Sequence, residues 1–258
     1  MRLAVAGAGG RMGRTLIEAI ADDPELELAA ALDAPGSAAV GRRIGAVTVG
    51  TDVRQALAGA DALLDFTRPA GTLVHLAACV AALKPIVIGT TGFSAGERAE
   101  IEAAARHIPV MLSPNFAVGV NLAMRLAETA ARVLGDGYDV EIVEAHHRRK
   151  VDAPSGTALE LGRVIARALG RDLAQVAVHG RSGETGERPA REIGFHAVRG
   201  GDIVGEHTVL FAGTGERVEI AVRSTSRTSY AAGALRAVKW LRGRPPGLYD
   251  SFDALGLK

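Results

Sequence analysis

The sequence contains one cysteine, Cys79, which excludes an intrachain disulfide and any metal cluster built from cysteine alone. It has no excess of either charge: 30 basic against 29 acidic residues give a net charge of +1. Bulk nucleic-acid binders usually carry a strong basic surplus, so that class is not expected. No apolar run approaches the length needed to span a bilayer. The first residues, MRLAVAGAGGRMGR, reach glycine and arginine too soon for a secretory signal, so a soluble cytoplasmic protein is expected. Lysine is also scarce, being limited to Lys84, Lys150, Lys239 and Lys258. A lysine inside a suspected site is therefore more informative than an arginine. Apolar residues are plentiful: 48% of 258, enough to bury a large core in one domain or two modest ones.

Short apolar runs alternate with helical patterns through the first part of the chain. Strands are expected at Leu3–Ala6, Leu26–Leu32, Ala62–Phe66, Pro85–Ile88 and Val110–Ser113. Helices are expected at Met12–Ala21, Ala70–Leu83 and Ala95–His107. Such alternation implies right-handed crossovers and a parallel sheet covered on both faces. After Asn115 the pattern changes. Val118, Leu122, Leu126, Ala130 and Val133 mark one face of a long helix, and Tyr138, Val140 and Ile142 alternate with acids as in a half-buried strand. A helix over Ala158–Leu169, a long loop over Gly170–Ala190 and strands at Ile193–Val198, Ile203–Phe211 and Val218–Ser224 follow, then a final helix at Tyr230–Leu241. The three strands fit a mixed or antiparallel sheet. The fold class is α/β, with a Rossmann-type parallel sheet and a second, α+β lobe.

Gly7-Ala8-Gly9-Gly10-Arg11-Met12-Gly13 follows the first strand and opens a helix. Glycines there allow a tight turn and close approach to a pyrophosphate, and the helix start offers N–H groups to an anion. The spacing is Gly-x-x-Gly-x-x-Gly, not the standard fingerprint, so an ordinary tight turn is the competing reading. Asp33 stands near the distance expected of a residue that binds adenosine ribose hydroxyls, or it simply begins the turn into Pro35-Gly36. Together these features favour a dinucleotide. A carboxylate at this place favours the unphosphorylated ribose, and Ala34 supplies no cation for a 2′-phosphate, though Arg11, Arg42 or Arg43 could. The expectation is that NADH is used well and NADPH is tolerated.

The second constellation runs from Glu144 to Thr157, EAHHRRKVDAPSGT. His146, His147, Arg148, Arg149 and Lys150 are consecutive residues able to carry positive charge at a strand end. Ser155-Gly156-Thr157 opens a helix, and Thr157 with Glu160 matches a capping box. A helix N-terminus can hold a carboxylate; histidine and lysine can transfer protons where arginine cannot. A solvated charged loop is the bland alternative. Adjacent histidines on a strand point to opposite faces, and there is no HExxH pattern or cysteine partner, so no metal is expected.

The blocks GAGGRMGR (Gly7–Arg14), DFTRP (Asp65–Pro69), GTTGF (Gly89–Phe93), SPNFAVGVN (Ser113–Asn121), EAHHRRKVDAPSGTA (Glu144–Ala158) and GFHAVRGGDIVGEHTV (Gly194–Val209) occur in order. With them the chain resembles the 4-hydroxy-tetrahydrodipicolinate reductase (dihydrodipicolinate reductase) family over essentially its whole length. The resemblance implies a dinucleotide-binding domain of residues 1–116 and 227–258. It also implies an inserted domain, 117–226, for substrate binding and assembly into a homotetramer. Gly7, Ala8, Gly9, Gly10, Arg11 and Met12 match the pyrophosphate loop, and Asp33 the ribose acid. Gly89, Thr90, Thr91, Ser113, Pro114, Asn115 and Phe116 match segments near the nicotinamide. His146 and Lys150 match the proton-handling pair, His147 a substrate contact, Gly156 and Thr157 the clamp on a substrate carboxylate, and Arg227 an arginine near the site. Ala34 departs from members that have an arginine there, which removes a reason for strict NADPH preference. The implied reaction is NAD(P)H-dependent reduction of (2S,4S)-4-hydroxy-2,3,4,5-tetrahydrodipicolinate, a cyclic dicarboxylate, to (S)-2,3,4,5-tetrahydrodipicolinate with loss of water.

Two other functions compete. A semialdehyde dehydrogenase of similar layout needs a nucleophilic cysteine, and Cys79 lies inside the apolar helical run Leu73–Leu83, where a buried core thiol is expected. A cofactor-sensing regulator would bind NADH without needing His146, Lys150 and a carboxylate clamp together.

Overall fold

The computed structural model describes residues 1–258. In chain order the first elements are β1 (Arg2–Ala6), α1 (Arg11–Ala21), β2 (Glu27–Leu32), β3 (Arg43–Ile44), β4 (Val47–Gly50), α2 (Val53–Ala58), β5 (Ala62–Asp65), α3 (Pro69–Ala82), β6 (Ile86–Ile88), α4 (Ala95–Ala104) and β7 (Pro109–Leu112). Next come α5 (Val118–Leu134), β8 (Asp139–His146), α6 (Gly156–Ala168), α7 (Leu173–Val176), β9 (Ala177–His179), β10 (Ile193–Arg199), β11 (Gly205–Ala212) and β12 (Arg217–Ser224). The chain ends with α8 (Thr228–Leu241), β13 (Gly247–Tyr249) and α9 (Ser251–Leu255). They form two compact units, residues 1–118 with 227–258, and residues 119–226.

In the first unit an eight-stranded sheet runs β13-β7-β6-β5-β1-β2-β4-β3. All its pairings are parallel except the antiparallel edge pair β3–β4. Side chains alternate across a strand, and both faces of this sheet are buried. Leu3 and Val5 join Leu16, Ile20, Val238 and Leu241 on one side, the side of α1 and α8. Ala4 and Ala6 join Leu57, Leu76, Cys79 and Ile101 on the other, the side of α2, α3 and α4. Burial on both faces is why these strands read as continuous apolar runs. Cys79 is fully buried, and burial followed by the nearby Asp65 raises its thiol pKa, as expected of a core thiol and not of a nucleophile.

The sequence pattern passes over β3, β4, α2, β13 and α9. These are segments of two to six residues, too short for periodicity to register; α2 owes its start to Asp52, whose carboxylate accepts from Arg54 N and Gln55 N.

The second unit is a five-stranded mixed sheet, β12-β11-β8-β10-β9. β10 is parallel to β8 and β9, and β11 is antiparallel to β8 and β12. One expectation changes here. The segment Gly170–Ala190 is not all loop: Asp172 caps the single turn α7, and β9 adds a strand to the sheet edge. The stripe Leu122, Leu126 and Val133 is 44–78% exposed, while Val120, Ala123, Met124, Ala127 and Ala131 form the buried face of α5.

Candidate active site

Two groups of residues bear on function, one in each unit. In the first, β1 ends at Ala6, and Gly7 turns the chain with φ of +83°. Only glycine fits there without strain, and a Cβ on Gly7 would lie 2.6 Å from the Phe66 carbonyl oxygen. Gly7 N and Ala8 N both donate to Leu32 O at the end of β2. Gly13, in the first turn of α1, leaves no space for a Cβ, which would lie 2.0 Å from Gly7 O. Gly10 caps α1 without a side-chain hydrogen bond, so no side chain competes with an anion for the helix-start N–H groups. Asp33 Oδ2 accepts from Gly9 N at 2.7 Å and Oδ1 accepts from Ala34 N at 2.8 Å. Each oxygen keeps lone-pair capacity for a ribose hydroxyl. Arg11 is exposed, and Met12 packs against the core.

The remaining first-unit candidates follow β6 and β7. Gly89 lies under the Phe66 ring, where a Cβ would come within 2.1 Å of ring carbon. Thr90 is buried and its hydroxyl donates to Asp65 Oδ1 at 3.0 Å; Thr91 is exposed. Ser113 Oγ donates to Asn115 O at 2.8 Å, and Asn115 Oδ1 accepts from Ala117 N. Pro114 is exposed, whereas Phe116 is buried with its ring 5.8 Å from that of Phe66. Tight glycine contacts, an uncapped helix start and a carboxylate on the loop together fit a dinucleotide. Arg227, just before α8, belongs to this unit and not to the unit that carries the other substrate candidates.

In the second unit the site grows from the end of β8. Glu144 and His146 are two residues apart on one strand and so share a face. His146 Nδ1 lies 2.6 Å from Glu144 Oε2, and Glu144 is almost wholly buried. Arg199, on neighbouring β10, grips the same carboxylate with two hydrogen bonds of 2.8 Å. Ser155 N donates to Glu144 Oε1 at 3.1 Å, which places the start of α6 beside the histidine. Burial alone would raise the Glu144 pKa; hydrogen bonds from Arg199 and His146 outweigh it and hold the group below the ordinary carboxylate value. Burial pushes His146 below its ordinary value although Glu144 pulls it back, and the charges of Lys150 and Arg199 add to the lowering.

His207 on β11 packs edge-on against His146, ring centroids 5.2 Å apart, and its Nε2 is 2.9 Å from Ser155 Oγ. Burial and then the neighbouring His146 push its pKa down to about 4. Past β8, the turn brings Lys150 N to His147 O at 3.0 Å and Lys150 Nζ to Asp152 Oδ1 at 2.9 Å. The Nδ1 of His147 is buried without a hydrogen-bond partner. Such a group is costly to leave unpaired and is a candidate to meet a polar ligand.

The expected capping box of Thr157 and Glu160 is not formed. Ser155 is the N-cap of α6, its Oγ accepting from Ala158 N, and Glu160 instead pairs with Arg163. The hold of Glu144 on Ser155 N starts the helix two residues earlier, with Gly156 and Thr157 in its first turn.

Glu144, Arg199 and His207 have no role that the sequence pattern itself marks. The i, i+2 spacing of Glu144 and His146 was a usable signal. Arg199 meets Glu144 across 55 positions and His207 meets Ser155 across 52, which only strand pairing reveals.

The description "Dihydrodipicolinate reductase, N-terminus" matches residues 1–116, and "Dihydrodipicolinate reductase, C-terminus" matches residues 119–255. A 4-hydroxy-tetrahydrodipicolinate reductase of Thiobacillus denitrificans is 60% identical, covering 100% of this chain and 99% of its own length. One from Dechloromonas aromatica is 58% identical, with 100% and 98% covered. The solved structure of dipicolinate-bound dihydrodipicolinate reductase from Paenisporosarcina sp. TG-14 superposes with a TM-score of 0.82 at 27% identity, covering 98% of each chain. A probable dehydrogenase from Thermotoga maritima, 12% identical with a TM-score of 0.63 over 100% of this chain and 93% of its own, shares the fold. The chain thus belongs to the 4-hydroxy-tetrahydrodipicolinate reductase family, NAD(P)H-dependent oxidoreductases that reduce a cyclic dicarboxylate in diaminopimelate and lysine biosynthesis.

Proposed function

We propose that the first unit holds the dinucleotide through Gly7–Met12, Asp33, Gly89–Thr91 and Ser113–Phe116, while the second holds the substrate and moves the proton. One carboxylate carries this reading: Glu144 contacts both His146 Nδ1 and Ser155 N. It ties the proton-handling residues to the helix start that takes a substrate carboxylate. A carboxylate accepts only, so Glu144 selects the His146 tautomer protonated at Nδ1 and leaves Nε2 as an acceptor. Gly205 keeps that edge open, since a Cβ there would stand 3.0 Å from Nε2.

The chemistry follows. With the substrate hydroxyl lost as water, a nicotinamide held by Gly7–Met12, Asp33, Gly89–Thr91 and Ser113–Phe116 would supply the hydride for the carbon left behind. The displaced electron pair moves toward the ring nitrogen, and Lys150 Nζ donates the proton that completes the reduction. His146, kept neutral by burial, accepts a hydrogen bond from the substrate or from Lys150. His147 Nδ1 and the N–H groups of Gly156 and Thr157 hold the carboxylates. Fixed donors facing developing charge stabilise it without reorganisation.

Asp33 and Ala34 favour NADH, with NADPH accepted. The homotetramer is supported by apolar surface in the second unit, where Leu122, Leu126, Val133 and Val218 are 37–78% exposed. Freshly prepared 4-hydroxy-tetrahydrodipicolinate with NADH, followed by absorbance, tests the assignment in wild type and in Lys150→Ala. Substrate-dependent oxidation that survives unchanged in the variant overturns the role given to Lys150.

A further inference from the structure

Asp65 ends β5 at the carboxyl edge of the parallel sheet and is fully buried, yet the chemistry above gives it no task. Its Oδ2 lies 2.5 Å from His75 Nδ1 on α3. Its Oδ1 accepts from Thr67 Oγ1 at 2.8 Å, Thr72 Oγ1 at 2.8 Å and Thr90 Oγ1 at 3.0 Å. Thr90 Oγ1 in turn accepts from Thr67 N at 3.0 Å. One carboxylate therefore joins the turn after β5, helix α3 and the turn after β6. A purely apolar packing would close this space without the desolvation of a charge, so the carboxylate fixes direction as well as filling volume.

What it fixes is the turn Phe66–Thr67. The Phe66 carbonyl is the group that leaves no room for a Cβ on Gly7, and Thr67 Cγ2 lies 3.3 Å from the same point. The Phe66 ring covers Gly89 and approaches Phe116. The turn is thus wedged between the glycine loop and the Gly89–Thr91 segment. We infer that Asp65, oriented by His75 and the hydroxyls of Thr67, Thr72 and Thr90, is a positioning residue for the dinucleotide. It sets the spacing of the two segments that hold it. This rests on the reading that those segments bind the dinucleotide.

The test is NADH affinity, read by ligand fluorescence on the whole protein without substrate, beside KM and kcat. Asp65→Asn keeps the shape but gives up the charge-assisted bonds; NADH should bind roughly tenfold more weakly. At saturating NADH, kcat and the substrate KM should stay near wild type. His75→Leu should reproduce the loss, and His75→Gln, which retains a donor, should restore most of the affinity. Should Asp65→Asn fail to fold, the His75 pair decides. Unchanged NADH affinity in the folded variants, or equal losses in His75→Leu and His75→Gln, overturns the proposal. Gly13→Val separates the two claims, because it strikes the glycine loop itself. If it leaves NADH affinity intact, the loop assignment fails; if it abolishes affinity while Asp65→Asn has no effect, the positioning role alone fails.

Discussion

Glu144 Oε2 stands 2.6 Å from His146 Nδ1, with Arg199 gripping the same carboxylate from the next strand. This is a carboxylate–histidine pair in which the acid governs the tautomer and the arginine governs the acid.

Glu144→Gln keeps the shape but lets the imidazole take either tautomer. We expect kcat to fall roughly 10- to 100-fold, the cost typical of an orienting partner, with NADH affinity unchanged. Steady-state kinetics beside a direct NADH titration decides this; a loss confined to NADH affinity would place Glu144 outside the proton path.

Lys150→Ala should lower kcat by about 100-fold or more, the usual contribution of a positioned proton donor. Lys150→Arg should recover little, since arginine keeps the charge but does not give up a proton. Equal losses in turnover and NADH binding would mark a structural lysine.

Asp33→Ala should cut kcat/KM for NADH by about tenfold, the scale of one charge-assisted hydrogen bond, and reduce the NADH-over-NADPH ratio. Paired kinetics with the two cofactors checks it. An unchanged ratio would leave Asp33 as a turn residue that only braces Gly9.

Pyridine-2,6-dicarboxylate carries the same paired carboxylates as the substrate and should inhibit competitively against it. Noncompetitive inhibition, or none, counts against the clamp at Gly156 and Thr157.

His207 makes stability fall with acid. Its folded pKa of about 4 lies below the ordinary histidine value, so the unfolded chain takes up the proton first. The stabilisation is complete above about pH 6.5 and is lost as the pH falls toward 4, on the order of 3 kcal/mol in all. A second loss follows at lower pH. Burial would raise Glu141, but Arg181, Arg188 and His196 hold it at about 2, so its contribution goes as it is protonated below its ordinary range. Denaturant unfolding between pH 7.5 and 4.5 should show the first limb, and His207→Gln should flatten it. An equally steep limb in the variant would assign the acid sensitivity elsewhere.

Much of the fold is local information. β1, α1 and the glycine turn between them follow from a strand-length apolar run, a helical period and residues that tolerate close backbone approach. Both faces of the first sheet are covered, so its strands are legible as unbroken apolar stretches. The Glu144–Thr157 stretch is legible for a similar reason: its cations and its helix start lie within one short segment. Two-residue β3 and three-residue β9 are not legible, because their existence depends on an available sheet edge. Nor is the direction of α5, whose larger aliphatic stripe faces outward while its alanines face inward.

By itself, the sequence determined where the titratable groups and the helix start proposed to hold an anion stand along the chain, since residue type and spacing are local properties. Only the tertiary structure decided what buries and holds the carboxylate beside His146. Glu144 becomes its buried partner because β10 brings Arg199 alongside, β11 brings His207, and α6 begins on Ser155. The contacts of Arg199 with Glu144 and of His207 with Ser155 span 55 and 52 positions, and strand register, which no local pattern records, is what joins them.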